Sequence, residues 1–205
     1  MPQTTGTRIV ASIALLTLAA FAFAQTTPTR IRGTIERIDG NVITVKPRGD
    51  GAAMTVKLAD NFTVGGLTKA SLSDIAVGKF VGIASLPAAD GSLRALEVLV
   101  FPESGRGSNE GHFPWDLQPQ SMMTNANVAE VVSAPAGRTL TLRYKDGEQK
   151  VLLPEGVPIV TAAPADRSAL VPGAHIFIFA AQRQGDGTFT ATRVTVGLNG
   201  LVPPM

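Results

Sequence analysis

Ile75-Ala-Val-Gly78-Lys-Phe-Val-Gly-Ile83 and Leu170-Val-Pro-Gly173-Ala-His-Ile-Phe-Ile178 share one pattern at a spacing of 95, an apolar start, a glycine, then an apolar run. Two further pairs of blocks flank them in the same order. Asp90-Gly91-Ser-Leu-Arg-Ala-Leu-Glu-Val98 answers Asp186-Gly187-Thr-Phe-Thr-Ala-Thr-Arg-Val194 at 96. Ile38-Asp-Gly40-Asn-Val-Ile-Thr-Val-Lys46 answers Ala136-Gly137-Arg-Thr-Leu-Thr-Leu-Arg143 at 97. Three blocks in one order, with spacings that drift by so little, point to a unit present twice.

Each copy reads as β structure. Ile43 and Val45 share one face of a strand, while Val42, Thr44 and Lys46 share the other, and this two-residue period is that of a half-buried strand. Leu140 and Leu142 repeat it against Thr139, Thr141 and Arg143. Asp39-Gly40, Asp50-Gly51, Asp90-Gly91, Asp146-Gly147 and Asp186-Gly187 are turn signals, because both residue types accept the left-handed backbone cheaply. Strands are expected at 31–38, 41–47, 53–58, 79–86 and 92–101, then at 127–133, 138–145, 148–153, 174–182 and 188–196. Ser71–Ile75 and Asp166–Leu170 read as single helical turns between the third and fourth strand of each copy. Three strands, a turn and two strands is the order of a small OB-like barrel. The expected fold is therefore all-β: two tandem five-stranded OB-like barrels from an internal duplication, joined by an ordered Pro/Gly-rich loop. In 174–182 Ile176 and Ile178 take one face and Phe177 and Phe179 the other, so both faces are expected to be covered.

The expected boundaries are a signal peptide at 1–24, a first barrel at 25–101, a connecting loop at 102–126, a second barrel at 127–197 and a tail at 198–205. Arg8 precedes an apolar run from Ile9 that ends in Ala22-Phe23-Ala24, the small-x-small pattern that signal peptidase cleaves. The run is short of the ~20 residues a bilayer span needs. Cleavage near Ala24 and a periplasmic or secreted destination follow, with a retained anchor as the alternative; with no cysteine, a lipid anchor, a disulfide scaffold and a thiol nucleophile are excluded. The connecting loop carries the only Trp, Trp115, together with Phe113, Leu117 and two Met, too apolar for a mere spacer. It reads as a loop laid across the barrels and anchored by Trp115.

The pattern of Gly33-x-Ile35, Asp-Gly, alternating strand, Gly-x-Phe-Val and Asp-Gly-x-x-x-Ala resembles a bacterial family of exported repeat modules of unknown function. Glu110-Gly-His-Phe-Pro-Trp-Asp-Leu117, Met123-Thr-Asn-Ala126 and the Pro-Pro-Met205 segment are similar to short exported bacterial proteins often labelled "metal ABC transporter permease". The resemblance implies a fold and a compartment and carries no catalytic residues. The permease label requires membrane spans that this sequence lacks.

Charge and motifs narrow the function. The chain has 18 basic and 16 acidic residues, and losing Arg8 leaves it almost neutral, so there is no footprint for nucleic acid. Lys46, Arg48, Lys57, Arg143, Lys145 and Lys150 are expected on outer strand faces, with Tyr144 as the one aromatic available for stacking. No nucleophile elbow, Ser–His–acid pattern or phosphate-binding glycine motif is present, so an enzyme is not expected. The primary expectation is a non-catalytic binding or scaffold module that presents a groove under the loop to a protein or glycan of the cell envelope. Trp115, Phe113 and Tyr144 are its candidate binding residues, and no cofactor is expected. The alternative is a divalent-metal carrier using Glu110, His112 and Asp116, with Glu103 nearby, since imidazole and carboxylate together suit Zn²⁺. His175, opposite Phe80 in the repeat, reads as a packing residue.

Overall fold

The computed structural model describes residues 28–135 and 137–205; the expected signal peptide, 1–24, the expected first residue after it, Gln25, and Ala136 lie outside the described residues. The strands are β1 (Thr29–Asp39), β2 (Val42–Pro47), β3 (Met54–Lys69), β4 (Phe80–Pro87), β5 (Leu93–Val100), β6 (Gly111–Pro114), β7 (Met122–Ala134), β8 (Gly137–Tyr144), β9 (Gly147–Pro154), β10 (Ile159–Pro164), β11 (His175–Arg183) and β12 (Phe189–Gly197). Short 3-10 turns stand at Leu72–Asp74 and Arg167–Ala169. Ser71 and Asp166 open them: Asp74 accepts from the Ser71 backbone, and Asp166 accepts from the Ser168 backbone.

The strands close two five-membered rings. In the first, β1 pairs β2, β2 pairs β3, β3 pairs β12, β12 pairs β11, and β11 returns to β1. In the second, β4 pairs β5, β5 pairs β9, β9 pairs β8, β8 pairs β7, and β7 returns to β4. Only the closing pairs β3–β12 and β5–β9 are parallel within the rings. β10 runs antiparallel to β3 and parallel to β5, which joins the rings into one continuous sheet.

The all-β class and the five-stranded closure agree with the sequence reading, but the partition into 25–101 and 127–197 does not. Each ring takes three strands from one half of the chain and two from the other. The cause lies in β3, which runs for 16 residues and leaves its own ring before the turn at Leu72–Asp74 delivers the chain to β4. Equivalent strands present the same faces whichever half completes the ring, so hydrophobic periodicity is blind to this exchange. The registers correspond as well. Gly33 faces Ile176 in the first ring as Ala126 faces Val81 in the second. A bulge after Ile35 is matched by one after Val128.

Three apolar clusters hold the molecule. Ile31, Ile35, Ile43, Val45, Ile176 and Val194 fill the first ring. Val81, Ile83, Val98, Leu140, Leu142 and Val151 fill the second. Leu67, Ala84, Trp115, Met123, Val160, Phe177 and Met205 form a third, packed on the outside of both. Burying each such side chain contributes about 1.5–3 kcal/mol before the entropy of ordering is counted. This third cluster is why β11 is apolar on both faces: Phe177 is covered by it, while Phe179 stays 46 % exposed at its margin.

Residues 198–205 are not a free tail, contrary to the sequence expectation. Pro203 and Met205 are buried, and the carbonyls of Met205 and Pro203 accept from Arg32 Nε at 2.5 Å and Arg48 Nη2 at 2.6 Å. The segment can turn back only because residue 197 is glycine: a Cβ there would lie 1.7 Å from the Leu201 carbonyl oxygen.

Candidate functional site

The third cluster is incomplete on one side, leaving a cleft of about 280 Å³. Five aromatic residues line it, Phe101, Phe113, Trp115, Phe177 and Phe179, with Glu97 and Arg193 as its charged groups. A second lobe of about 430 Å³, lined by Gly65, Gly66 and Ser104 among others, shares Leu99, Phe101, Arg193, Thr195 and Met205 with the first.

Two breaks in strand alternation put the charged residues there. In β5, Leu93, Ala95, Val98 and Val100 point into the second ring, and the step from Ala95 to Val98 breaks strict alternation. The irregularity falls where Ala84 pairs Glu97 but Ser85 pairs Ala95. The extra residue, Leu96, shifts the phase and turns Glu97 out of the ring core towards the cleft. In β12, Phe189, Ala191, Val194 and Val196 also break alternation, where the pairing steps from Ala191–Leu58 to Arg193–Thr63 and the extra residues lie on β3. Arg193, which follows this break, is turned outward likewise.

Glu97 is 1 % exposed, and neither of its carboxylate oxygens has a hydrogen-bond partner among the described residues. Burial pushes its carboxyl up to about 8, against the pull of the nearby Arg32 and Arg48 charges. A buried, unpartnered acid in an apolar wall is costly, and such groups cluster at functional sites. Arg193 is exposed and makes no ion pair among the described residues.

The loop that forms the other wall is pinned at several points. β6 pairs with β7. Arg106 bridges Glu103, the Asn127 side chain and the Gly78 carbonyl. Asn125 Nδ2 donates to the Ser108 and Asn109 carbonyls at 3.2 and 3.1 Å. Trp115 and Ser121 close the end of the loop, with Trp115 N donating to the Ser121 carbonyl at 2.8 Å and Ser121 Oγ donating back at 3.0 Å. Trp115 is 8 % exposed, lies 6.0 Å from the Phe179 ring and carries the Arg30 guanidinium at 4.0 Å above its face. Its indole nitrogen, Nε1, is buried without a partner among the described residues.

Of the residues expected at a binding groove, Trp115 and Phe113 share a wall of this cleft, their rings 6.3 Å apart. Tyr144 does not line it. It packs against the core of the second ring and accepts from Gln149 Nε2 at 3.3 Å. Glu97, Arg193, Phe177 and Phe179 were not expected at the site.

The proposed metal ligands are not brought together. Glu110 accepts from the Lys145 backbone at 3.0 Å. His112 Nδ1 shares a 2.8 Å hydrogen bond with Thr124 Oγ1, and burial holds its imidazole below the ordinary histidine range. Asp116 accepts from Arg32 at 2.7 Å, with Arg30 at 3.6 Å. Burial opposes ionisation of Asp116, but the Arg32 hydrogen bond and the two arginine charges outweigh it and lower the carboxyl pKa. Among the described residues no group of three or more His, Cys, Asp or Glu is placed to hold a metal ion. Each expected ligand already satisfies a different partner, Lys145, Thr124 or Arg32, on another strand or turn. His175 is hydrogen-bonded to Thr34 at 3.0 Å, separately from His112.

Residues 32–98, which span β1 to β5 almost completely, match a domain of unknown function, DUF5666. No curated protein and no solved structure matches the chain. Among the described residues no helix is long and apolar enough to cross a membrane.

Proposed function

We propose that the protein is an exported, non-catalytic binding module of the cell envelope, and that the aromatic cleft between its rings is the seat of a small ligand. The observation that carries this reading is Glu97, an unpartnered acid buried in the wall of a largely apolar, aromatic-lined cavity. Export is supported by the apolar run ending in Ala22-Phe23-Ala24. A non-catalytic role is supported by the cleft's composition: one carboxyl and one guanidinium face it, while both histidines are hydrogen-bonded to threonines elsewhere. A broad protein-docking face is less well supported, because the exposed large apolar side chains, Val77, Val132, Val171, Phe179 and Val202, are few. Duplication of an OB-like unit belongs to the same proposal, supported by the matching registers and bulges of the two rings.

Trp115, as the sole tryptophan, reports on the cleft without a label. Small molecules that raise the melting temperature should also shift its emission, and Phe179→Ala should weaken both effects. A screen whose stabilising molecules leave Trp115 emission unmoved and ignore Phe179→Ala would count against the reading. Export is tested separately: cell fractionation should find the protein in the envelope with Gln25 as its first residue, and a cytoplasmic protein that retains Met1 would refute it.

A further inference from the structure

Resting on that reading of the cleft, we infer that its ligand is a small zwitterion with a flat apolar body. Its ammonium sits on Glu97, its carboxylate is held by Arg193, and its ring lies against Phe113, Trp115 and Phe179.

Charge decides between ligand classes here. Glu97 needs hydrogen-bond donors that the described residues do not supply, and an ammonium brings three. The aromatic walls favour a cation at that depth and an apolar body beside it. A simple amine, however, would bring its charge close to Arg32 and Arg48, the two guanidiniums that already act on Glu97. Of these two arginines only Arg32 has an ion-pair partner among the described residues, Asp116, which it shares with Arg30. An anion would suit Arg193 but leave Glu97 buried and unsatisfied, which costs the full desolvation of that group. A zwitterion meets both conditions. It gives Glu97 a partner, gives Arg193 an acid, and adds no net charge to an arginine-rich surround. Matching breaks in alternation, Ala95 to Val98 on β5 and Ala191 to Val194 on β12, turn one acid and one base towards the same cavity. The second lobe, which shares Arg193 and Thr195 with the first, leaves room for the ligand's outer end.

The test uses three probes that differ only in charge: phenylalanine, 2-phenylethylamine and 3-phenylpropionate, titrated at pH 7 by calorimetry and Trp115 emission. Phenylalanine should bind at least tenfold more tightly than either of the others. Glu97→Gln should erase its advantage over phenylpropionate, and Arg193→Gln its advantage over phenylethylamine. Circular dichroism and melting of both variants separate a lost contact from a lost fold. Binding at pH 7 should also release protons, so the heat should vary with the ionisation enthalpy of the buffer. Equal or tighter binding of phenylpropionate overturns the inference, as does an unchanged phenylalanine affinity in Glu97→Gln. If phenylalanine does not bind at millimolar concentration while other small molecules still shift Trp115, the zwitterion assignment fails and the binding module stands. If no molecule shifts Trp115 and melting together, the module reading falls with it.

Discussion

Glu97 on β5 and Arg193 on β12 each stand where the inward–outward alternation breaks, and they carry opposite charges into one cleft. Their surroundings differ. Glu97 is sealed in the wall and unpartnered, while Arg193 is exposed to solvent. The electrostatic tension of the site is therefore concentrated on the acid, which makes stability the most direct way to read it.

Stability should fall as pH rises from 4.5 to about 8, the ordinary and folded values for the Glu97 carboxyl. In that window the folded protein keeps the proton and the unfolded chain has lost it. The unfolded state then binds one proton fewer, and the linkage slope is negative, about 1.4 kcal/mol per pH unit at its steepest. The Arg32 and Arg48 charges favour the ionised form of Glu97 and keep its folded value, and so the upper end of this window, from rising further. Urea denaturation across this range should show the decline, and Glu97→Gln should flatten it. A wild-type profile as flat as the variant's would mean that Glu97 ionises freely.

Trp115→Ala should destabilise the protein by about 3–5 kcal/mol, the usual cost of emptying a buried aromatic site. It would leave the Arg30 guanidinium without its stacking partner and open the third cluster beside Met123 and Phe177. Phe179→Ala, at 46 % exposed, should cost about 1 kcal/mol or less. Thermal melting of both variants checks the contrast. Similar losses would place Phe179 in the core rather than on the cleft wall.

The contrast between these aromatics bears on what could be read before the fold was known. The ten expected strands were legible because Asp-Gly turns and two-residue alternation are local signals; β6, inside the expected connecting loop, and β10 were not expected. Phe113 and Trp115 were legible too, since a lone tryptophan in a Pro/Gly-rich loop needs an apolar reason to be there. The strand exchange was hidden, because which β3 a β12 pairs with is a long-range choice between equal faces. Glu97 left a faint mark: Leu93, Ala95, Val98 and Val100 skip one step, as do Phe189, Ala191, Val194 and Val196, and in β5 that skip is the signature of a bulge. Tyr144 was misplaced because an aromatic at a strand end looks alike whether it faces a groove or caps a core.

Zinc should leave the melting temperature unchanged at micromolar concentration. Glu110, His112 and Asp116 each serve a different neighbour, and a native-state ligand must stabilise the fold it binds. Calorimetry with Zn²⁺, Mn²⁺ and Ni²⁺ on metal-free protein checks this. A saturable heat that disappears in His112→Ala would show that the loop rearranges to collect those ligands.

Cutting the chain in the connecting loop should not separate its halves. Gly107 and Ser108 are exposed, so a protease site placed between them can be cleaved in the folded protein. One piece then carries β1 to β5 and the other β6 to β12. The contacts β1–β11, β3–β12, β4–β7 and β5–β9 all cross the cut, because each ring draws on both pieces. On gel filtration the nicked protein should elute with the intact one and separate only in denaturant. Its melting temperature should become dependent on protein concentration, since unfolding now releases two chains. Two independent barrels would instead each melt as a unit, at a temperature indifferent to dilution. Pieces that part under native conditions would therefore restore the tandem arrangement and remove the exchanged strands that form the cleft.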